Sequence, residues 1–335
     1  MRVLVAHNAV PGEGSPDEAD VLTQSRAVTG ALSALGHEAK TLECTLDLES
    51  ALARVREWAP DVVFNLVESL AGTGRLIHLF PGVLDAAGIP YAGSCAESLL
   101  ATSHKAMAKR LMEAGGLPTP AWAGPRPDAA FRAPAVPDGQ AAKNLWIVKS
   151  VWEHASIGLG PESLVRPRDA EELYARMDEA APGLGGSCFA ERFIPGREFN
   201  LSVLSGPEGP EVLPPAEILF EGYGEDRARI VDYRAKWDEG SYEYHHTPRR
   251  FDFGPEDGPL LENLTRLSLS AWRLFRLAGW VRVDFRVDPD GNPFILEVNA
   301  NPCLSPDAGF AAAVDRAGMP FDRAVERILA DVSWG

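Results

Sequence analysis

A chain of 335 residues is longer than one ordinary core sustains, so two or three domains are expected. With 45% hydrophobic and 24% charged residues its composition is that of a globular enzyme and excludes a disordered chain. A formal net charge of −16 argues against nucleic acid as a partner, since binding a phosphate backbone needs a basic face, but a nucleotide needs only a few local cations and a metal.

Met1 leads directly into Arg2-Val3-Leu4-Val5-Ala6, a buried-strand pattern, so no signal peptide is expected before the fold. No apolar stretch approaches the roughly 20 residues that span a bilayer, and no membrane partner is expected. Val3 to Ala6 reads as a parallel strand, followed by a Gly- and Pro-rich loop from Asn8 to Asp17 and a helix from Ala19 to Leu35. Strands at Ala39–Glu43, Asp61–Leu66 and Ile89–Ala92 alternate with helices at Glu49–Trp58 and Leu76–Ala87. That alternation implies a parallel sheet covered on both faces.

The pattern changes near Gly93. One helix is predicted from Ser98 to Ala114, then a Pro- and Ala-rich excursion from Ala123 to Asn144. A strand at Leu145–Lys149, a loop at Trp152–Gly160 and an Asp-capped helix at Asp169–Ala180 follow. Phe189–Phe193 opens the last region, with strands at Phe199–Leu204 and Glu217–Phe220, an irregular stretch from Glu221 to Pro248 and a helix at Leu260–Leu277. Strands at Val281–Val287 and Phe294–Val298 are joined by the turn Asp288-Pro289-Asp290-Gly291. The four cysteines, Cys44, Cys95, Cys188 and Cys303, show neither CxxC pairing nor zinc-ligand spacing, and read as reduced thiols of a cytoplasmic protein.

The chemistry concentrates in that hairpin. Alternation puts Arg282 and Asp284 on one face of their strand, and Glu297 and Asn299 on one face of the next, with Phe285, Ile295, Leu296 and Val298 opposite. Two carboxylates and an amide oxygen are hard donors suited to magnesium carrying nucleotide phosphates. An arginine beside them can meet charge on a transferring phosphoryl group or a tetrahedral oxyanion.

Gly279-Trp280-Val281-Arg282-Val283-Asp284 with Leu296-Glu297-Val298-Asn299-Ala300-Asn301-Pro302 resembles the metal-binding end of D-alanine–D-alanine ligases. Pro90-Tyr91-Ala92-Gly93-Ser94, Ile147-Val148-Lys149, Glu191-Arg192-Phe193-Ile194 and Asp232-Tyr233-Arg234-Ala235-Lys236 fall in the same order as their counterparts there. The resemblance implies an α/β (α+β) ATP-grasp fold of three domains: an N-terminal parallel-sheet domain over 1–94, a central one over 95–188 and a C-terminal one over 189–335. It also implies ATP, two magnesium ions (or manganese in their place), an acyl-phosphate intermediate and a homodimer through the N-terminal domain. Asp284, Glu297 and Asn299 would hold metal, and Lys105, Lys149 and Ser156 would approach phosphates. The backbone of Glu191, Arg192, Phe193 and Ile194 would read adenine, and Glu198 the ribose hydroxyls. Lys236 would lie on the γ-phosphate from a closing loop, with Arg282 stabilising transferred charge.

The substrate end departs from that pattern. Glu18, by its spacing to Val21, matches the acid that holds the first amino group, or is simply a first-turn acid favouring the helix dipole. Its supporting serine and tyrosine are Ala155 and Trp237 here, and the serine for the second carboxylate is Ala308. Glu68, at the C-terminal end of a parallel strand, either contacts a cationic group or is a loop carboxylate. Cys303 replaces a glycine whose amide helps hold the tetrahedral oxygen, and no histidine or second cysteine is placed to activate its thiol. The expected function is therefore an ATP-dependent ligase joining an amino acid or related small carboxylate to an amine, with D-alanine alone a poor substrate. A true D-alanine–D-alanine ligase comes second, and a non-catalytic ATP-binding protein third.

Overall fold

Strands Arg2–Asn8 and Val62–Leu66 carry buried residues on both faces, and the structure covers both. This computed structural model describes residues 1–10, 16–125, 145–153, 156–224 and 227–333, with backbone alone for 16–19 and 333. Strands Glu38–Cys44, Arg2–Asn8, Val62–Leu66 and Tyr91–Ala92 lie side by side and parallel, and Val332–Ser333 closes the last edge antiparallel. Val3, Val5 and Phe64 pack to one side with Phe310 and Ile328, while Leu4, Val63 and Tyr91 pack to the other with Leu42 and Phe80. This is the doubly covered parallel sheet that the alternation of elements predicts.

Two antiparallel sheets follow. One runs Trp122–Ala123, Cys188–Arg192, Trp146–Ser150, Leu164–Val165. Thus Cys188–Arg192 is a member of this sheet, where the sequence suggested the start of the last region. The other runs Arg249–Arg250, Ala216–Ile218, Arg197–Leu204, Trp280–Val287, Pro293–Asn299, with Glu211–Val212 also on Arg197–Leu204. Its apolar face carries Phe199, Leu201, Val283, Phe285 and Ile295 against helix Gly258–Leu274 and the helices between 96 and 114. Trp280, fully buried, joins this sheet to the first: its ring stacks on Phe64 at 5.4 Å and its indole nitrogen donates to the Pro302 carbonyl at 2.7 Å. Gly93, at φ 116°, faces the same ring, so a side chain would meet both a strained backbone and the indole.

Several local expectations change. The predicted helix Ser98–Ala114 is two helices, Ala96–Ser103 and Lys105–Ala114. His104 leaves helical geometry between them, and its ring nitrogen accepts from Met107 N, capping the second helix. The helix predicted over Leu76–Ala87 becomes a 3₁₀ turn at Gly74–Leu76 and a helix at Leu79–Ala87. The stretch expected to be irregular holds two short helices, Tyr233–Trp237 and Tyr242–His245, capped by Asp232 and Ser241. Residues 126–144 of the Pro- and Ala-rich segment lie outside the described residues. Among the described residues no helix is long and apolar enough to cross a membrane.

Candidate active site

Strict alternation cannot put Ile295 in the core and Glu297 on the opposite face, since the two share parity. The hairpin resolves this with a bulge. Asp284 pairs with Glu297 and Phe285 with Ile295, leaving Leu296 unopposed. Ile295 is thereby fully buried while Glu297 and Asn299 line the cavity. Leu296, expected on the apolar face, lines the cavity too. Arg282 is registered against Asn299 and Asp284 against Glu297, so the four polar side chains meet across two adjacent strands.

They form one wall of a cavity of about 930 Å³. Lys105, Lys149, Ser156, Glu198, Lys236, Glu68, Trp237 and Cys303 line it as well. The break at His104 starts a helix at Lys105, whose Nζ donates to the Glu153 carbonyl at 2.6 Å. Lys149, on strand Trp146–Ser150, pairs with Glu191 at 2.6 Å. Lys236 is carried on helix Tyr233–Trp237. The segment before that helix is tied to the opposite loop, because Ser156 Oγ donates to the Val231 carbonyl at 2.9 Å and Tyr233 N to the Leu159 carbonyl at 3.4 Å. The Ser156 hydroxyl, expected on phosphate, is thus spent on that closure.

The electrostatics favour an anionic ligand with a cation. Burial acts to raise the Glu297 carboxyl, but Lys105, Lys236, Lys149 and Arg282 outweigh it and hold it well below the usual carboxylate range. Burial lowers the Lys105 ammonium despite Glu297, and lowers that of Lys236, which Arg282 depresses further. The Glu297 carboxylate accepts no hydrogen bond from any of the described residues, although its backbone is paired in the strand ladder. Asp284 accepts from Arg282 Nε at 2.7 Å and from Asn200 Nδ2 at 2.8 Å, while its oxygens keep further lone pairs. Among the described residues Asn299 Oδ1 accepts only from Asn301 N, at 3.2 Å. Among the described residues no three His, Cys, Asp or Glu side chains cluster to hold a metal. The set here has two carboxylates and takes its third oxygen from an amide, which fits a hard divalent cation shared with phosphates.

Other expected residues stand differently. Glu191, Arg192, Phe193 and Ile194 do not line the cavity; Phe193 lies under the Arg286 guanidinium, 5.0 Å from its ring centre. Glu198 lines it but pairs with Arg286 at 3.1 Å, and burial raises its carboxyl against that pairing. Glu68 accepts from Gln24 Nε2. Glu18 is in the first turn of helix Pro16–Ala34 with its side chain outside the described residues, as is Ala155 altogether.

Asn200, Asp20 and Arg249 also line the cavity and were missed from the sequence. Asn200 was within reach of period two, being two residues beyond Glu198 on strand Arg197–Leu204. Asp20 was not: its partners Cys303 Sγ, donating at 2.7 Å, and Ser305 Oγ, donating at 2.6 Å, lie at the other end of the chain.

A family model described as D-ala D-ala ligase C-terminus matches residues 111–330. Proteins named D-alanine–D-alanine ligase from Synechococcus sp. (strain JA-2-3B'a(2-13)) and Gloeobacter violaceus are each 30% identical, the first over 91% of this chain and 86% of its own length, the second over 98% of both. The crystal structure of D-alanine–D-alanine ligase from Bacillus anthracis complexed with ATP shares the fold, with a TM-score of 0.71 at 19% identity over 99% of this chain and 96% of that one. With its ATP-grasp fold and its family match, the chain belongs to the D-alanine–D-alanine ligases, a family of enzymes that form C–N bonds.

Proposed function

We propose that the chain uses ATP and a divalent cation to activate a carboxylate as an acyl phosphate, which an amine displaces to give an amide, ADP and phosphate. The observation that carries this reading is the register of Asp284 with Glu297 and of Arg282 with Asn299, on a wall shared with Lys105, Lys149 and Lys236. Asp284, Glu297 and Asn299 would hold the cation, one ion or two, which would draw charge from the phosphate oxygens. Lys105 and Lys149 bind phosphate oxygens. Lys236 and Arg282 face the charge that grows as the γ-phosphoryl group moves to the carboxylate. The tie between Ser156–Leu159 and Val231–Tyr233 excludes water, which would otherwise compete with the amine. The nucleoside contacts of Glu191–Ile194 and Glu198 belong to the same reading, Glu198 having first to share Arg286 with the ribose. The three-domain division is part of it too, with the second border moved beyond Arg192 because strand Cys188–Arg192 pairs in the central sheet.

The names of the relatives favour D-alanine as both substrates over a broader class of amino acids and small carboxylates. A second reading, with a different amino acid in at least one position, is favoured by Trp237, Cys303 and Ala308 at the substrate end. The test is ¹⁸O-carboxylate D-alanine with mass analysis of the released phosphate. Label moving into phosphate, with the dipeptide formed, supports the first reading. ADP release with another amino acid but not D-alanine supports the second. AMP and pyrophosphate in place of ADP would overturn the acyl-phosphate route itself.

A further inference from the structure

Lys109 lies one turn beyond Lys105 on helix Lys105–Ala114 and is completely buried. Its Nζ pairs with Glu191 Oε2 at 2.5 Å and donates to Thr119 Oγ1 at 2.7 Å and to the Ile295 carbonyl at 3.5 Å. Its charge is thus taken up inside the protein by one ion pair and two hydrogen bonds. Lys109 does not line the cavity. Lys149 does, and it holds the other oxygen of the same carboxylate, Glu191 Oε1, at 2.6 Å. That is the sole acceptor of Lys149 among the described residues, so two of its protons remain for a ligand.

Two lysines and one glutamate form a group with a net charge of plus one, buried except where Lys149 reaches the cavity. Burial acts to raise the Glu191 carboxyl, but Lys109 and Lys149 outweigh it and hold it below the usual range. Burial draws the Lys109 ammonium down while Glu191 acts against that, and Glu191 more than offsets the burial of Lys149. Without Lys109, Glu191 would have Lys149 as its one cationic partner, and the pair facing an anion would be neutral.

We propose that Lys109 is a positioning residue for nucleotide binding: from the buried side it neutralises Glu191, so that Lys149 meets the phosphates as an uncompensated cation. The proposal rests on the nucleotide reading given above. A competing role is mechanical. Thr119 Oγ1 also donates to the Ile295 carbonyl at 2.9 Å, and Ile295 N to Pro118 at 2.8 Å, so Lys109 sits at a seam between the central and C-terminal sheets.

Charge and mechanics separate in a double-mutant cycle read by calorimetric titration with magnesium–ATP, each variant being checked by thermal melting. Lys109→Met weakens ATP binding by about tenfold, equivalent to about 1.4 kcal/mol. Glu191→Gln frees Lys149 outright and keeps the backbone groups proposed to contact adenine, so its ATP affinity isolates the charge effect and does not fall below that of the wild type. Lys109→Met/Glu191→Gln, with the plus-one charge restored, recovers to within about threefold of it. A double variant no tighter than Lys109→Met, or a Glu191→Gln variant weakened about tenfold, overturns the proposal. Should either single variant fail to fold, Lys109→Met/Glu191→Gln decides, since it removes both charges of the fully buried pair and leaves neither one unpaired. A wild-type chain that takes up no ATP overturns the nucleotide reading, and this proposal with it.

Discussion

At the end of the cavity walled by strands Trp280–Val287 and Pro293–Asn299, the charged side chains stand on regular elements. Arg282, Asp284, Glu297 and Asn299 are on paired strands, and Lys105, Lys149 and Lys236 are on two helices and a strand. At the other end, Asp20 comes from helix Pro16–Ala34, Glu68 from the loop after strand Val62–Leu66, and Cys303 from the segment after strand Pro293–Asn299. Cations outnumber anions at the first end, whereas Asp20 and Glu68 both act on Cys303 at the second. On the proposed reading, strand pairing fixes the geometry for phosphoryl transfer, while the substrate end draws on one helix and two irregular segments that are freer to change.

The largest effect should come from the strand-built end. Glu297→Gln is expected to lower turnover by about a hundredfold or more, with an unchanged melting transition, because it removes a charge aimed at the cation. Near-normal ADP production by the folded variant would falsify that role for Glu297. Lys236→Ala should reduce kcat by about a hundredfold while weakening ATP affinity only a few-fold, since its contact belongs mainly to the transition state. Equal losses in both would make Lys236 a ground-state binder instead.

How much of this was legible depends on the distance over which residues act. The hairpin was readable because two strands and a turn set its geometry within eighteen residues of chain, although the bulge at Leu296 needed the packing of Ile295 to reveal it. The single helix predicted over Ser98–Ala114 failed because hydrophobic periodicity runs straight through His104, whose capping role lies in its backbone angles. Lys109 reads on paper as one more helix-surface lysine. Its burial comes from Glu191, Thr119 and Ile295, all supplied by other segments. Asp20 was hidden for the same reason.

Smaller effects probe the other end of the cavity. Asp20→Asn should raise the KM of an amino-acid substrate by about tenfold, the scale of one charged hydrogen bond, and change ATP affinity by less than about twofold. A shift in ATP affinity as large as that in KM would show that the two ends are not separable. The smallest effect concerns the Cys303 thiol. Burial, then Glu68 and Asp20, push it up, so the folded protein keeps it protonated at pH 8 and it becomes reactive only as pH rises well beyond the range of a free thiol. Iodoacetamide should therefore label Cys303 slowly at pH 8, and a few-fold faster in Asp20→Asn. No acceleration would mean that burial and Glu68 control it without Asp20.

Strand Val332–Ser333 pairs with Tyr91–Ala92, and Asp331 accepts from Gly279 N at 2.8 Å beside that join. A ribosome making this chain delivers the four parallel strands by Ala92 and their antiparallel neighbour only at Val332. At about 5–20 residues per second the wait is on the order of 10–50 s. Throughout it the nascent sheet has an open rim, with Tyr91 and Ala92 offering unpaired amides and carbonyls to any strand nearby. That rim is a place where newly made chains can pair edge to edge, and a fragment ending after the fourth strand keeps it exposed.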